Sequence, residues 1–278
     1  MTKSVIAFIG GGNMTRAIVG GMRDSGFAQR YLVISEPQAE TRVALAKSFP
    51  GALVLDDNNR AVASASTVVL AVKPQVLPDV CRSLRKTAQD TRPLILSIAA
   101  GIRSDDIDQW LGGELAIVRV MPNQPALIRQ GISALFANNR TSDAERVRAK
   151  DIMAAVGSVV DVSSESDIDA ATAVSGSGPA YFFLLIDILG QTAVSLGIDP
   201  STARLLAVET ARGAAALALT ESDDMEALIA RVRSPGGTTA AALDSLDSHN
   251  VRDIFAEAIT AARDRATELA DIAHNKQK

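Results

Sequence analysis

Val5-Ile6-Ala7-Phe8-Ile9-Gly10-Gly11-Gly12-Asn13-Met14-Thr15 is the stretch from which the rest of the chain is read. Val5 to Ile9 reads as a short buried strand that runs straight into three glycines. Ala17, Ile18 and Met22 then recur at the three- and four-residue intervals of one helix face. A strand that turns through glycines into a helix is the phosphate-binding start of a dinucleotide fold. Gly10 permits the tight turn, Gly12 lets the backbone approach a pyrophosphate, and the helix start offers it unpaired N–H groups and a positive dipole end. Thr15 stands where the third glycine of that pattern belongs, and its bulk is expected to hold helix and strand slightly apart. An ordinary glycine turn is the competing reading of these residues alone, so the decision rests on the residues beyond the turn.

Outward from this turn, strand and helix keep alternating. Residues 31–34 read as a second strand, which stops at Ser35-Glu36-Pro37, where a dinucleotide fold holds the adenosine ribose. An acidic side chain there usually binds the 2′-hydroxyl of NAD and repels the 2′-phosphate of NADP. Glu36 lies 26 residues past Gly10, a little beyond the usual interval. It reads equally well as a carboxylate favouring the start of a helix over 38–49, and Ser35 could hydrogen-bond either cofactor. Residues 52–55 form a weak strand, and Asp56-Asp57-Asn58-Asn59 a polar loop before a short helix. Residues 67–72 are rich in β-branched side chains with no polar face, as in parallel sheets covered on both sides. This run ends in Lys73-Pro74-Gln75, where Pro74 suits the first turn of the next helix. Further strands are expected at 94–98, 115–120, 132–136 and 159–162, with a helix at 142–156. Three buried strands therefore end in small or polar loops: Ala71-Val72-Lys73-Pro74, Ser97-Ile98-Ala99-Ala100-Gly101 and Met121-Pro122-Asn123. Ligands of a doubly wound sheet lie beyond such strand ends. Lys73 could meet a phosphate or a carboxylate there, since a cation at a helix start otherwise opposes the dipole.

Composition narrows the classes. The 278 residues are 47% apolar and 22% charged, enough for a soluble chain of one large or two ordinary domains. Net charge is −4 without a long basic run, and aromatics are only 4%, so neither nucleic acid nor an anionic membrane is an expected partner. Cys81 is the sole cysteine, which excludes an internal disulfide, and His249 and His274 cannot build the usual zinc constellations. No metal is expected. The N-terminal apolar run lacks signal-peptide anatomy, and the stretch 179–189 is short for a bilayer span and contains Asp187. A cytoplasmic location is the expectation.

Near Val162 the texture changes. Ser163-Ser164-Glu165-Ser166-Asp167 is a polar start signal, and afterwards the sequence is alanine-rich and helical. Two domains are expected: residues 1–162, an α/β doubly wound sheet, and residues 163–278, all helical. Helices at 181–196 and 203–219 carry more apolar surface than a small helical domain buries alone, so an intertwined homodimer is expected. Ser175-Gly176-Ser177-Gly178-Pro179 and Ser234-Pro235-Gly236-Gly237-Thr238-Thr239 each precede a helix. Both read as loops aiming N–H groups and hydroxyls at a small anion such as a carboxylate, or as plain helix–helix turns.

In order and spacing, Gly10–Met14, Ala71–Gln75, Ser97–Gly101, Met121–Asn123, Ser175–Ala180 and Ser234–Thr239 resemble pyrroline-5-carboxylate reductases, over residues 4 to about 269. The resemblance implies an N-terminal Rossmann-type domain, a C-terminal helical dimerisation domain, and often a ring of dimers, commonly a decamer. It implies hydride transfer from NADPH, or less often NADH, to the C=N bond of 1-pyrroline-5-carboxylate, the last step of proline biosynthesis. By motif match it implies cofactor contacts at Ile9, Gly10, Gly11, Gly12, Asn13, Met14, Ser35, Asn58, Ala71, Val72, Lys73, Pro74, Ile98, Ala99 and Ala100. Gly236, Gly237, Thr238 and Thr239 match the substrate loop. Thr15 and Glu36 depart from the family pattern, and Glu36 bears on the choice between NADPH and NADH.

The residues suit that chemistry. Reduction of a ketone needs a proton donor for the developing alkoxide, yet the helical half has no lysine before Lys276. An imine arrives partly protonated, and its iminium accepts hydride without a strong acid beside it. Positioning then carries most of the catalysis, on the order of 7 kcal/mol in ideal cases. Thr239 is expected to bond the ring nitrogen and assist its protonation. The alternatives are a β-hydroxyacid dehydrogenase, which the missing lysine disfavours, another imine reductase, and a nucleotide-sensing protein without turnover.

Overall fold

The computed structural model describes residues 4–275. The chain opens with β1 (Ile6–Ile9), α1 (Asn13–Asp24), β2 (Leu32–Ser35), α2 (Ala39–Ser48), β3 (Leu53–Leu55) and α3 (Asn58–Ala63). It continues with β4 (Thr67–Leu70), α4 (Leu77–Thr91), β5 (Leu94–Ser97), α5 (Ser104–Leu111) and β6 (Ile117–Met121). Then come β7 (Gly131–Ala137), α6 (Asp143–Ala154), β8 (Gly157–Asp161) and α7 (Asp167–Ala171). Five further helices complete the chain: α8 (Gly178–Ser195), α9 (Pro200–Thr220), α10 (Met225–Val232), α11 (Thr238–Ser248) and α12 (Val251–Asn275).

The eight strands form one sheet in the order β3-β2-β1-β4-β5-β6-β7-β8. All neighbours are parallel except β6 and β7, which run antiparallel. The short connection through Gln124–Ile128 allows that hairpin-like reversal, whereas parallel neighbours need a crossover helix. Chain order reverses at β1, which pairs with β2 on one side and β4 on the other. That is the crevice where doubly wound sheets hold ligands. The register aligns Ile9 with both Ser35 and Leu70, so Gly10, Glu36 and Ala71 leave the sheet at one level.

Each face of the sheet is covered. Phe8, Ile34, Val69 and Leu96 pack with Ile18, Met22, Leu45 and Met153 on one side. Ala7, Ile9, Val68 and Leu70 pack with Leu77, Leu84, Ile107 and Trp110 on the other. Burial on both faces explains why β4 is buried at every position rather than alternating. Each large side chain so buried contributes roughly 1.5–3 kcal/mol, which anchors the strand ends that carry the site.

The chain divides into two compact units. The first holds residues up to Gly176 together with those from Ala262 on, and the second holds Ser177–Ala261. This differs from a boundary at residue 162 in two places: α7 belongs to the unit that holds the sheet, and so does α12 from Ala262 on. Within the first unit Ala266 and Ala270 are buried, Thr267 donates to Asp169, and Arg103 pairs with Asp271 at 2.6 Å. In the second unit α8 packs on α9, but the buried residues of these helices are small: Gly178, Ala203 and Ala207. Phe182, Phe183, Leu184, Ile188 and Leu189 are exposed.

The Ser175–Pro179 stretch is not the loop expected. Thr172–Gly176 is a π-helical turn that joins α7 almost directly to α8, so its N–H groups are spent inside the helix. The hydroxyls of Thr172 and Ser175 likewise return to the carbonyls of Ile168 and Ala171. As a result Asp167–Ser195 is one helical run of 29 residues, long and apolar enough by composition to cross a membrane, although 179–189 alone is too short.

Candidate active site

The glycine turn sits at the switch point with its backbone committed on one side and open on the other. Gly10 has φ +103°, and a Cβ there would lie 2.8 Å from the Ala71 carbonyl oxygen; only glycine tolerates both. Its N–H donates to Ser35 O at 2.8 Å, stitching the turn to β2. Gly11 is closed in: a Cβ would lie 2.5 Å from the Leu45 side chain. Gly12 is the reverse, with nothing within 4 Å of the place a Cβ would take. It is the N-cap of α1, makes no side-chain cap, and is followed by no acidic residue in the first turn. A helix start with no side-chain cap and no acidic residue in its own first turn, over open space, suits a pyrophosphate, so these residues fit a dinucleotide.

Thr15 is fully buried, and its hydroxyl donates to Gly10 O at 2.6 Å. The group that departs from the glycine pattern therefore finds a partner in the turn itself. Arg16, not singled out in sequence, donates from Nε to Gly11 O at 3.3 Å. The Ser35 hydroxyl donates to Asn58 Oδ1 at 2.7 Å, which brings two expected cofactor contacts together across β2 and α3. Asp57 holds Asn58 in place by capping α3 through the N–H groups of Asn59 and Arg60.

Glu36 turns inward. Its carboxylate accepts from Gly11 N–H at 2.9 Å and from Gln38 N–H at 3.0 Å, and only 9% of the residue is exposed. It thus favours the entry to α2, one of the two roles open in sequence, while facing the glycine turn, as the other role requires. The Gly11–Glu36 bond joins residues 25 apart, and no local pattern announces it.

Ala71–Pro74 and Ile98–Ala100 come after β4 and β5 at the same sheet edge. Lys73 is exposed, and α4 begins only at Leu77, with Pro78 rather than Pro74 in its first turn. The dipole argument for Lys73 therefore fails, because three turn residues separate it from the helix. Pro74 and Ala100 also border a cavity of about 540 Å³ whose other walls include Asp169 and Leu269. Asn123 is committed elsewhere: its Oδ1 accepts from Ile132 N–H at 3.0 Å, so the Met-Pro-Asn loop uses it to start β7. Met121 instead reaches the π-helical turn, where a Cβ on Gly176 would lie 2.7 Å from its terminal methyl.

Gly236–Thr239 lies in the second unit. Gly236 has φ +69°, Gly237 is the N-cap of α11 without a side-chain cap, and Thr238 and Thr239 form its first turn with no acidic residue there. Like α1, this helix presents a bare positive end, here with two hydroxyls.

Fold and site together define a nicotinamide-nucleotide oxidoreductase with an α/β nucleotide domain and a helical domain. A family model for NADP oxidoreductases, coenzyme F420-dependent, matches residues 5–101, and one for pyrroline-5-carboxylate reductase dimerisation matches residues 165–269. The chain is 43% identical to a pyrroline-5-carboxylate reductase of Pseudomonas aeruginosa over 271 residues, covering 98% of each chain. It superimposes on a pyrroline-5-carboxylate reductase from Coxiella burnetii with a TM-score of 0.93 at 40% identity, covering 97% of this chain and 99% of that one. A Plasmodium falciparum pyrroline carboxylate reductase solved with NADP bound gives 0.84 at 25% identity, covering 97% of this chain and 99% of that one. The chain belongs to the pyrroline-5-carboxylate reductase family.

Proposed function

We propose that the protein reduces 1-pyrroline-5-carboxylate to L-proline, adding hydride to the cyclic C=N bond in the last step of proline biosynthesis. The observation that carries this reading is the open, uncapped glycine turn at the switch point of a chain of this family. Bound NADPH or NADH supplies the hydride. Ile9 to Met14 hold the pyrophosphate, Ser35 and Asn58 the adenosine side, and Ala71–Pro74 with Ile98–Ala100 line the rest of the nucleotide. Gly236, Gly237 and Thr238 bind the substrate carboxylate at the bare end of α11, and Lys73 adds a cation for phosphate or carboxylate. The Thr239 hydroxyl bonds the ring nitrogen and assists its protonation. No strong acid is required, because the imine is basic enough to arrive as iminium, so placement supplies the rate.

The exposed apolar faces of α8 and α9 are covered by a second copy of the chain, and such dimers assemble further into a ring, a decamer. The protein works in the cytoplasm, without nucleic acid or membrane. The test is a paired assay of NADPH and NADH consumption with 1-pyrroline-5-carboxylate. Consumption of either, with proline formed in equal amount, supports the assignment, and nucleotide binding with no oxidation across cyclic imines overturns it.

A further inference from the structure

We propose that Glu36 sets the nucleotide preference of this protein, selecting a free adenosine 2′-hydroxyl, and hence NADH, over a 2′-phosphate. This rests on the nucleotide reading of the glycine turn given above. Residue 36 leaves β2 level with Gly10, as the pairing of Ile9 with Ser35 requires, and adenosine ribose binds at that strand end in dinucleotide folds. The carboxylate is held there from both sides. Oε2 accepts from the buried Gly11 N–H and Oε1 from Gln38 N–H. Swinging the side chain away would strand a buried donor, so the charge cannot step aside for an incoming phosphate. Each oxygen keeps a further acceptor position. A ribose hydroxyl can donate to it, whereas a phosphate dianion brings only acceptors and like charge. With 9% of Glu36 exposed, solvent and salt screen that repulsion weakly.

The neighbouring cations do not reverse the sign. Arg42 donates from one terminal nitrogen to Glu36 O at 3.0 Å and Pro37 O at 2.7 Å, and its other terminal nitrogen lies 3.9 Å from the Asp56 carboxylate. Arg16 turns to Gly11 O. A 2′-phosphate would have to draw Arg42 off two carbonyls while facing Glu36.

Fluorescence titration of the intact protein with NADH and with NADPH, in the absence of imine, tests this directly. NADH is expected to bind at least tenfold more tightly, and Glu36→Gln and Glu36→Ser are expected to narrow that ratio to threefold or less. Displacement of NADH by ADP-ribose is expected at lower concentration than by its 2′-phosphorylated form, a comparison that needs no variant. Equal or tighter NADPH binding by the unaltered protein overturns the proposal, as does an unchanged ratio in folded Glu36 variants. Selective loss of NADPH binding in Arg42→Ala also overturns it, because Arg42 would then be a phosphate clamp. Failure of either nucleotide to bind the folded protein overturns the nucleotide reading and this proposal together. If both bind but 1-pyrroline-5-carboxylate is not reduced, only the reaction assignment falls, and the binding ratio still decides the role of Glu36.

Discussion

Thr239 and Cys81 mark two extremes of what a single side chain does here. Thr239 stands in the first turn of a helix whose end has no cap, and its proposed work is one hydrogen bond to the substrate nitrogen. Thr239→Val keeps the shape and removes the hydroxyl, so kcat is expected to fall by about tenfold or more with nucleotide binding unchanged, while Thr239→Ser recovers much of the rate. Steady-state kinetics with separate nucleotide titrations checks this, and full turnover by the valine variant would dismiss the role. Cys81 lies fully buried in α4, and burial pushes its thiol from 9.0 up to about 12. Between those values the unfolded chain ionises at this position and the folded chain does not. Stability is therefore expected to decline as pH rises from about 9 towards 12, with a shallower decline in Cys81→Ala. Urea midpoints at pH 8 and pH 10.5 would show it, and the native thiol should resist alkylating reagents at pH 8. At this scale the sequence was legible where local conformation carries the signal, as at Gly10 and Gly12. It was silent on the partner of Glu36, because that bond spans 25 residues, and on Arg119, which is buried beside Glu165 and Asp169.

Among the elements, α1 shows how a helix inherits its requirements from what it packs against. Its start is set by the glycine turn, but its middle meets the chain between α6 and β8. A Cβ on Gly21 would collide with the Ala155 carbonyl, and backbone cannot retreat as a flexible side-chain end can. Gly21→Ala is expected to destabilise the protein by about 3 kcal/mol or to displace α6, whereas Gly26→Ala, in open space though at positive φ, costs about 1 kcal/mol. Thermal unfolding of the two variants compares clash with strain; equal effects would contradict the close approach of α1 and Ala155. The expected strands were readable from periodicity, their ends shifted by only a residue or two, but the helix α5 between β5 and β6 was not among the expected elements. The Ser175–Pro179 run deceived for a physical reason. Glycine, serine and proline usually punctuate chains, but Pro179 sits in the first turn of α8, where no N–H is missed, and a π turn absorbs the residues before it.

For the whole molecule, the second unit poses the main question, because its largest apolar side chains face outward. Phe182 is 63% exposed and Phe183 58%, which no isolated helical unit in water sustains without cover. Light scattering at micromolar concentration is expected to give a dimer or a multiple of it. Phe182→Glu, which disturbs no buried contact of the unit, is expected to lower the mass while helical content holds, and a monomeric unaltered protein would remove the dimer. The alternation of strand and helix, the glycine turn, the change of texture near Val162 and the surplus of apolar helix are all legible in the chain, because each is written in local spacing and composition. Only the folded chain brings β7 antiparallel to β6, ties the end of α12 to Asp169, Arg103 and Asp106 through Thr267, Asp271 and His274, and pins Glu36 against Gly11. Those outcomes turn on which distant surfaces meet, and a register or a buried hydrogen bond between remote residues leaves no period in the chain to be read.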